Sequence, residues 1–151
     1  MRGACLAVAT LAYVGCFGCG DGLRRVPVQG KLTAKGVPVD GATVQFIPTD
    51  STKGEGGMGR ADNEGNFTLT GTRAGAKAVV PGEYTVRVSR LVARDGSTLP
   101  WDAKEAEHPG CYESVPAPYN SLDGTPLKAK IPEAGGTVNV DIPVTVIRRG
   151  K

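Results

Sequence analysis

The chain has 151 residues, with 18 Lys and Arg against 15 Asp and Glu and a formal net charge of +3, a balance that gives no footprint for a nucleic-acid partner. The length suits one domain, which can bury roughly 65 to 70% of the surface its unfolded chain exposes without a disulfide framework. Twenty-two Gly, eleven Pro and few aromatics argue against a helical protein and predict short strands joined by tight turns, because both residues are costly inside helices and useful in reversals.

Three of the four Cys lie in the first nineteen residues. Met1-Arg2 gives a positive start, residues 4–17 are apolar, and Gly18-Cys19-Gly20-Asp21 turns abruptly small and polar. This is the layout of a secretory signal, and the apolar run is shorter than the roughly 20 residues of a permanent membrane span. Residues 1–18 are therefore expected to be the signal, 19–25 a polar tether, 26–147 the folded domain and 148–151 a solvated basic tail.

The end of the signal resembles a bacterial lipobox, in which small residues precede an acylated Cys. Gly18 and Cys19 fit that pattern, and Cys16 stands where the family usually has Leu. The resemblance implies that Cys19 carries a diacylglycerol thioether and becomes the mature N-terminus. Tyr13-Val14-Gly15-Cys16 supplies a second frame, which keeps Cys16 as the alternative. Acyl chains contribute about 0.8 kcal/mol per buried methylene, so two or three of them hold a domain at a membrane surface. The implied location is the bacterial cell envelope, periplasmic or surface-exposed.

The first strand is expected from Val26, with Val28 and Leu32 inward and Gln29, Lys31 and Thr33 outward. Gly30 interrupts the inward set, and a strand glycine marks either a bulge or the close approach of another backbone; the bulge is the simpler expectation. Lys35-Gly36-Val37-Pro38 should make a turn. Ala42, Val44 and Phe46 then alternate with Thr43 and Gln45, and Pro48 closes the strand. Residues 49–59, which include Lys53-Gly54-Glu55-Gly56-Gly57, read as a mobile surface loop. No Gly-Lys-Ser/Thr ending follows, so this is not a phosphate loop.

Asp62-Asn63-Glu64-Gly65-Asn66 supplies residues that tolerate positive φ, and it predicts a hairpin turn. The oxygen donors lack the spacing of a calcium loop. Phe67 and Leu69 follow as inward residues. Residues 71–80 form a connection whose alanines pack lightly, and Pro81-Gly82 restarts the sheet with Tyr84, Val86 and Val88 inward.

Gly30, Gly36, Pro38, Gly41-Ala42, Val44, Phe46, Pro48, Asp62, Gly65-Asn66-Phe67 and Pro81-Gly82-Glu83-Tyr84 with Val86 and Val88 together resemble a carboxypeptidase regulatory-like, transthyretin-type β-sandwich domain. The order is similar to that of the small lipid-anchored versions abundant in planctomycete bacteria. The resemblance covers about two thirds of the chain. It implies an all-β fold, a seven- or eight-stranded Greek-key sandwich, with no established chemistry of its own, since turn and core positions specify a fold more than an activity.

Regularity then fails over residues 90–126, longer than structureless loops usually run in compact domains. Arg94-Asp95-Gly96-Ser97 is a turn, and residues 101–107 are expected to form two turns of helix ended by His108-Pro109-Gly110. Val115-Pro116-Ala117-Pro118-Tyr119-Asn120 resembles the Pro-x-x-Tyr-Asn segment that often precedes the last hairpin in those lipoproteins, and Tyr119 is expected to cap one end of the sandwich. Leu127, Ala129 and Ile131, the turn Glu133-Ala134-Gly135-Gly136, and then Val138, Val140, Ile142, Val144 and Val146 predict a final hairpin. Pro143 places its second strand at an edge or a bulge.

Candidate chemistry is sparse. His108 is the single His of the chain; Cys111 and Glu113 lie near it, but neither a nucleophilic thiol with its base nor a zinc ligand set is complete. Transthyretin-type hydrolases of purine-derived rings rely on several His, so that analogy fails. No catalytic residue, metal or cofactor is expected. Cys111 is free if Cys19 is acylated; if Cys16 is acylated, Cys19 is available to pair with it, and an intermolecular bridge is a third arrangement. The reading is a non-enzymatic, lipid-anchored envelope protein whose sandwich is a structural or protein-interaction module. Its partners would be the membrane and other envelope proteins or surface polymers. The alternative is a carbohydrate or small-ligand binding module in which Trp101, Tyr112 and Tyr119, the expected contact surface, stack against the ligand.

Overall fold

The computed structural model of the protein describes residues 22–72 and 76–148; the expected signal, Cys16, Cys19 and the last three residues of the tail lie outside them. Period-two alternation produces strands almost throughout. In β1 (Val28–Ala34), Val28, Leu32 and Ala34 are buried while Gln29 and Lys31 are exposed. Lys35 and Gly36 both take left-handed φ, 50° and 75°, the pattern of a two-residue hairpin turn, and the chain returns as β2 (Val37–Pro38) against Thr33 and Ala34. The turn is therefore shorter than expected. Pro38 is tolerated because β2 is an edge strand, paired with β1 alone.

The remaining strands are β3 (Thr43–Pro48), β4 (Gly57–Arg60), β5 (Asn66–Thr68), β6 (Thr70–Gly71), β7 (Gly82–Ser89), β8 (Leu91–Val92), β9 (Tyr112–Glu113), β10 (Lys128–Ile131), β11 (Gly136–Thr137) and β12 (Val140–Ile142). One sheet runs β10-β7-β3-β4-β6 and is antiparallel throughout. The other is centred on β1, with β11 and β12 parallel to it on one side and β2 and β5 antiparallel on the other. Their inward side chains form one core. Phe46 of β3 meets Phe67 of β5 across the two sheets at 6.2 Å between ring centroids, and Tyr84 of β7 at 5.9 Å. The protein is all-β, with two facing five-stranded sheets compatible with a β-sandwich and a separate two-stranded sheet in which β8 pairs with β9.

The turn at residues 62–66 forms as expected. Asp62 N donates to Asn66 O at 2.8 Å, and the Asp62 carboxylate accepts the Glu64 and Asn66 amides at 2.9 and 2.8 Å. Gly65 has φ 82°. The arm leaving the turn has a further role: β5 pairs with β1 while β6 pairs with β4, so one stretch of chain stitches both sheets together.

Four expectations are corrected. Gly30 is not a bulge, because β1 keeps one register against both β11 and β12. It marks a close approach: a Cβ there would lie 1.9 Å from the Val138 carbonyl oxygen and 2.6 Å from the Phe67 ring. The end of the Gly-rich loop is a strand, since β4 pairs with β3 and its glycines admit neighbours. A Cβ on Gly57 would meet Val79 at 2.5 Å and one on Gly59 the Thr68 carbonyl at 2.6 Å. The chain from 127 to 142 is not a hairpin, because β10 joins β7 in one sheet while β11 and β12 join β1 in the other. Its alternation nonetheless holds, with Val138, Val140 and Ile142 buried and Thr137, Asn139 and Asp141 exposed. Residues 101–107 contain only a 3-10 turn, Glu105–Glu107, which buries nothing and has no side-chain cap; without an apolar face a longer helix has nothing to pack.

Candidate functional site

The residues between β7 and β10 lie over the outer face of the β3 sheet, and arginines hold them there. On a strand whose inward residues are Tyr84, Val86 and Val88, Arg87 must face outward. Its Nε donates to the Asn120 carbonyl at 2.7 Å. Arg60, at the end of β4, donates to the Leu99 carbonyl at 2.9 Å. Arg90 binds Asp40 twice, through Nε to the carbonyl at 2.7 Å and through Nη2 to the carboxylate at 3.1 Å, with only 12% of its side chain exposed. A guanidinium suits this work because its rigid fork of donors satisfies several acceptors at once.

Glu113 completes the attachment. One carboxylate oxygen accepts the Ser89 hydroxyl at 2.6 Å, and the other accepts the amides of Arg90 and Val115 at 2.8 and 2.9 Å. Beside it the buried Ser114 bonds the Arg90 carbonyl through both its amide and its hydroxyl, at 2.9 and 3.0 Å. Among the described residues no buried side-chain polar atom is left without a partner, which is what a polar attachment requires to be stable.

Between this covering and the sheet lies a groove of about 470 Å³. Its floor is built from outward residues of β3, β4 and β7, among them Gln45, Met58 and Arg87; its walls include Leu99, Trp101, Glu105 and Leu122. Trp101 is 65% exposed and Leu122 54%, large apolar side chains held at a rim by the backbone around them. A second groove of about 520 Å³ crosses the outer face of the β1 sheet and is lined mainly by polar residues, including Lys31, Asp62 and Asn139. There Asn139 accepts the Lys31 amide at 3.0 Å where the parallel ladder is interrupted.

Of the expected contact residues, only Trp101 lines the groove beneath the covering. Tyr112 is half-buried in β9 opposite Val92. Tyr119 packs against the core, and its carbonyl accepts the Val88 amide at 3.0 Å. The Ala117–Pro118 peptide beside it is cis. The three aromatics thus do not share one platform. Cys16 and Cys19 lie outside the described residues, and among the described residues Cys111 has no disulfide partner.

His108, Cys111 and Glu113 do not converge on one site, because both Glu113 oxygens are turned into the attachment. Among the described residues no group of three His, Cys, Asp or Glu is placed to hold a metal ion, and no helix is long and apolar enough to cross a membrane. Sequence reasoning missed the anchoring arginines and Leu122. The signal was an outward arginine at 87 and another at 90, directly before regularity fails.

No protein-family model matches the chain, and comparison with curated proteins and with solved structures gives no match.

Proposed function

We propose that the protein is a non-enzymatic, lipid-anchored envelope protein. Its domain is a seven- or eight-stranded Greek-key sandwich of the carboxypeptidase regulatory-like, transthyretin type, and it presents the groove beneath residues 91–126 as a contact surface. The observation that carries this reading is the exposure of Trp101 and Leu122 on a rim whose backbone is fixed by partly buried hydrogen bonds from Arg60 and Arg87. Exposed apolar side chains on a rigid support cost little ordering entropy when a partner covers them. Arg60, Arg87, Arg90 and Glu113 are engaged in holding the covering in place, which supports attachment over catalysis. The anchor rests on the lipobox-like Gly18-Cys19, with Cys16 as the alternative, and places the domain on a membrane of the bacterial envelope, facing the periplasm or the outside.

A photoreactive side chain at position 122 of the full chain, activated in intact cells, tests the contact surface. Cross-linked envelope material lost on Trp101→Ala is expected; the same yield from a probe at position 35, on the opposite sheet, would overturn the reading. Mass spectrometry of the mature N-terminus tests the anchor, for which an acylated Cys19 or Cys16 is expected and an unmodified N-terminus contradicts it.

A further inference from the structure

The groove rests on the middle of a sheet, and that limits what it can recognise. Each strand of its floor, β3, β4 and β7, is paired on both sides, so no free backbone donors or acceptors are offered and a peptide cannot add itself as another strand. Recognition must come from side chains. Among the described residues the Thr43 hydroxyl, the Gln45 amide nitrogen and the Glu105 carboxylate make no hydrogen bond, and all three belong to residues that line the groove. Above them stands one indole, Trp101, with most of its surface open.

An occupant matching this arrangement has one apolar face to lie against a flat aromatic ring, with hydroxyls around its edge for amide, hydroxyl and carboxylate groups. A pyranose ring meets both conditions. Charge narrows the class. The charged lining residues are Arg87, Glu105 and Glu113, a net of one negative charge, and the Arg87 Nε is already committed to Asn120. Polyanions are therefore disfavoured. We infer that the groove beside Trp101 binds a neutral, pyranose-based polysaccharide, with the sugar ring on the indole and its hydroxyls on Gln45 and Glu105. The inference rests on the contact-surface reading and names its occupant.

The test uses the full chain, whose single Trp is Trp101, so tryptophan emission, excited at a wavelength that spares tyrosine, reports the groove alone. The probes are cellohexaose, xylohexaose, mannohexaose and chitohexaose, with polygalacturonate as the anionic control. At least one neutral hexasaccharide is expected to give a saturable blue shift of the emission. Gln45→Ala should weaken that binding about tenfold with an unchanged melting temperature, as expected for loss of a polar contact to a ligand. Trp101→Ala should lose retardation in a gel containing the same glycan. No saturable response to any of the four neutral sugars, or a stronger one to polygalacturonate, overturns the inference. If a protein cross-links at position 122 while all four sugars fail, the contact surface stands and its glycan occupant does not; if neither is captured, both fall.

Discussion

The two-sheet core and the covering over residues 91–126 are held by different physics. In the core, one face of each strand is apolar and its stability scales with area removed from water; Leu32, Val44, Val86, Val88 and Ile142 are each fully buried. At about 1.5 to 3 kcal/mol for each side chain of this kind, no single contact decides the outcome. The covering has few such residues, Val92, Leu99 and Val115 among them. It is fixed instead by a few hydrogen bonds, donated by Arg60, Arg87 and Arg90 and accepted by Glu113. Burial is spread over many positions, whereas polar attachment concentrates on a few. The core should therefore lose stability in proportion to what is removed, and the covering should detach when one anchor goes.

Removing residues 136–151 gives the largest expected effect on the core side, since it deletes β11 and β12 and leaves one side of β1 open. The truncated chain should show no cooperative melting transition; a retained one would break the comparison. Gly30→Val comes next. Its Cβ would lie 1.9 Å from a backbone carbonyl, which no side-chain adjustment relieves, and a loss of about 3 kcal/mol or more in urea unfolding is expected. On the other side, Arg90→Met strands the carboxylate and carbonyl of Asp40. Because Asp40 is half exposed, water compensates in part, and a loss of about 1 to 2 kcal/mol is expected. New protease cleavage between residues 93 and 112 should accompany it, with β3 and β7 still protected.

Acid sharpens the contrast more gently. Asp141 is held below the ordinary aspartate value of 3.8 by the Thr33 hydroxyl and then the Gly36 amide, and Asp62 by the Asn66 amide first. For a depressed carboxylate the stabilisation is complete above its unfolded value and disappears as pH falls through the native one. Stability should therefore be flat from neutrality to about pH 4 as far as these two groups govern it, then decline, and Asp141→Asn should reduce the slope of that decline. The smallest effect is that of Trp101→Ala. Its side chain is mostly exposed, so a change within about 0.5 kcal/mol is expected in thermal melts, although surface capture at position 122 should be lost.

The same contrast explains what the sequence disclosed. Alternation at Tyr84, Val86 and Val88, and again at Val138, Val140 and Ile142, assigns each side chain to a face, and every one of them is buried. Periodicity carries no information about neighbours. That is why Glu133-Ala134-Gly135-Gly136 resembled a hairpin turn although it carries the chain from the β3 sheet to the β1 sheet. Gly57 and Gly59 carry no face information, so a strand defined by the absence of side chains looked like a loop. Outward arginines on a strand normally signal solvent, and only the fold shows that Arg87 meets a carbonyl from residue 120. Trp101 stood out by type, and the groove beneath it depends on contacts far apart in the sequence.

Hydrogen exchange of the full chain tests the central claim most directly, that the covering is a docked layer and not an open loop. The Ser114 amide bonds the Arg90 carbonyl, the Val115 amide the Glu113 carboxylate, and the Leu99 amide the Leu91 carbonyl. These three amides should exchange orders of magnitude more slowly than those of an unstructured segment and lose that protection in Arg90→Met, while Val44 and Val86 stay protected. Rapid exchange at all three in the unmodified protein would contradict the account.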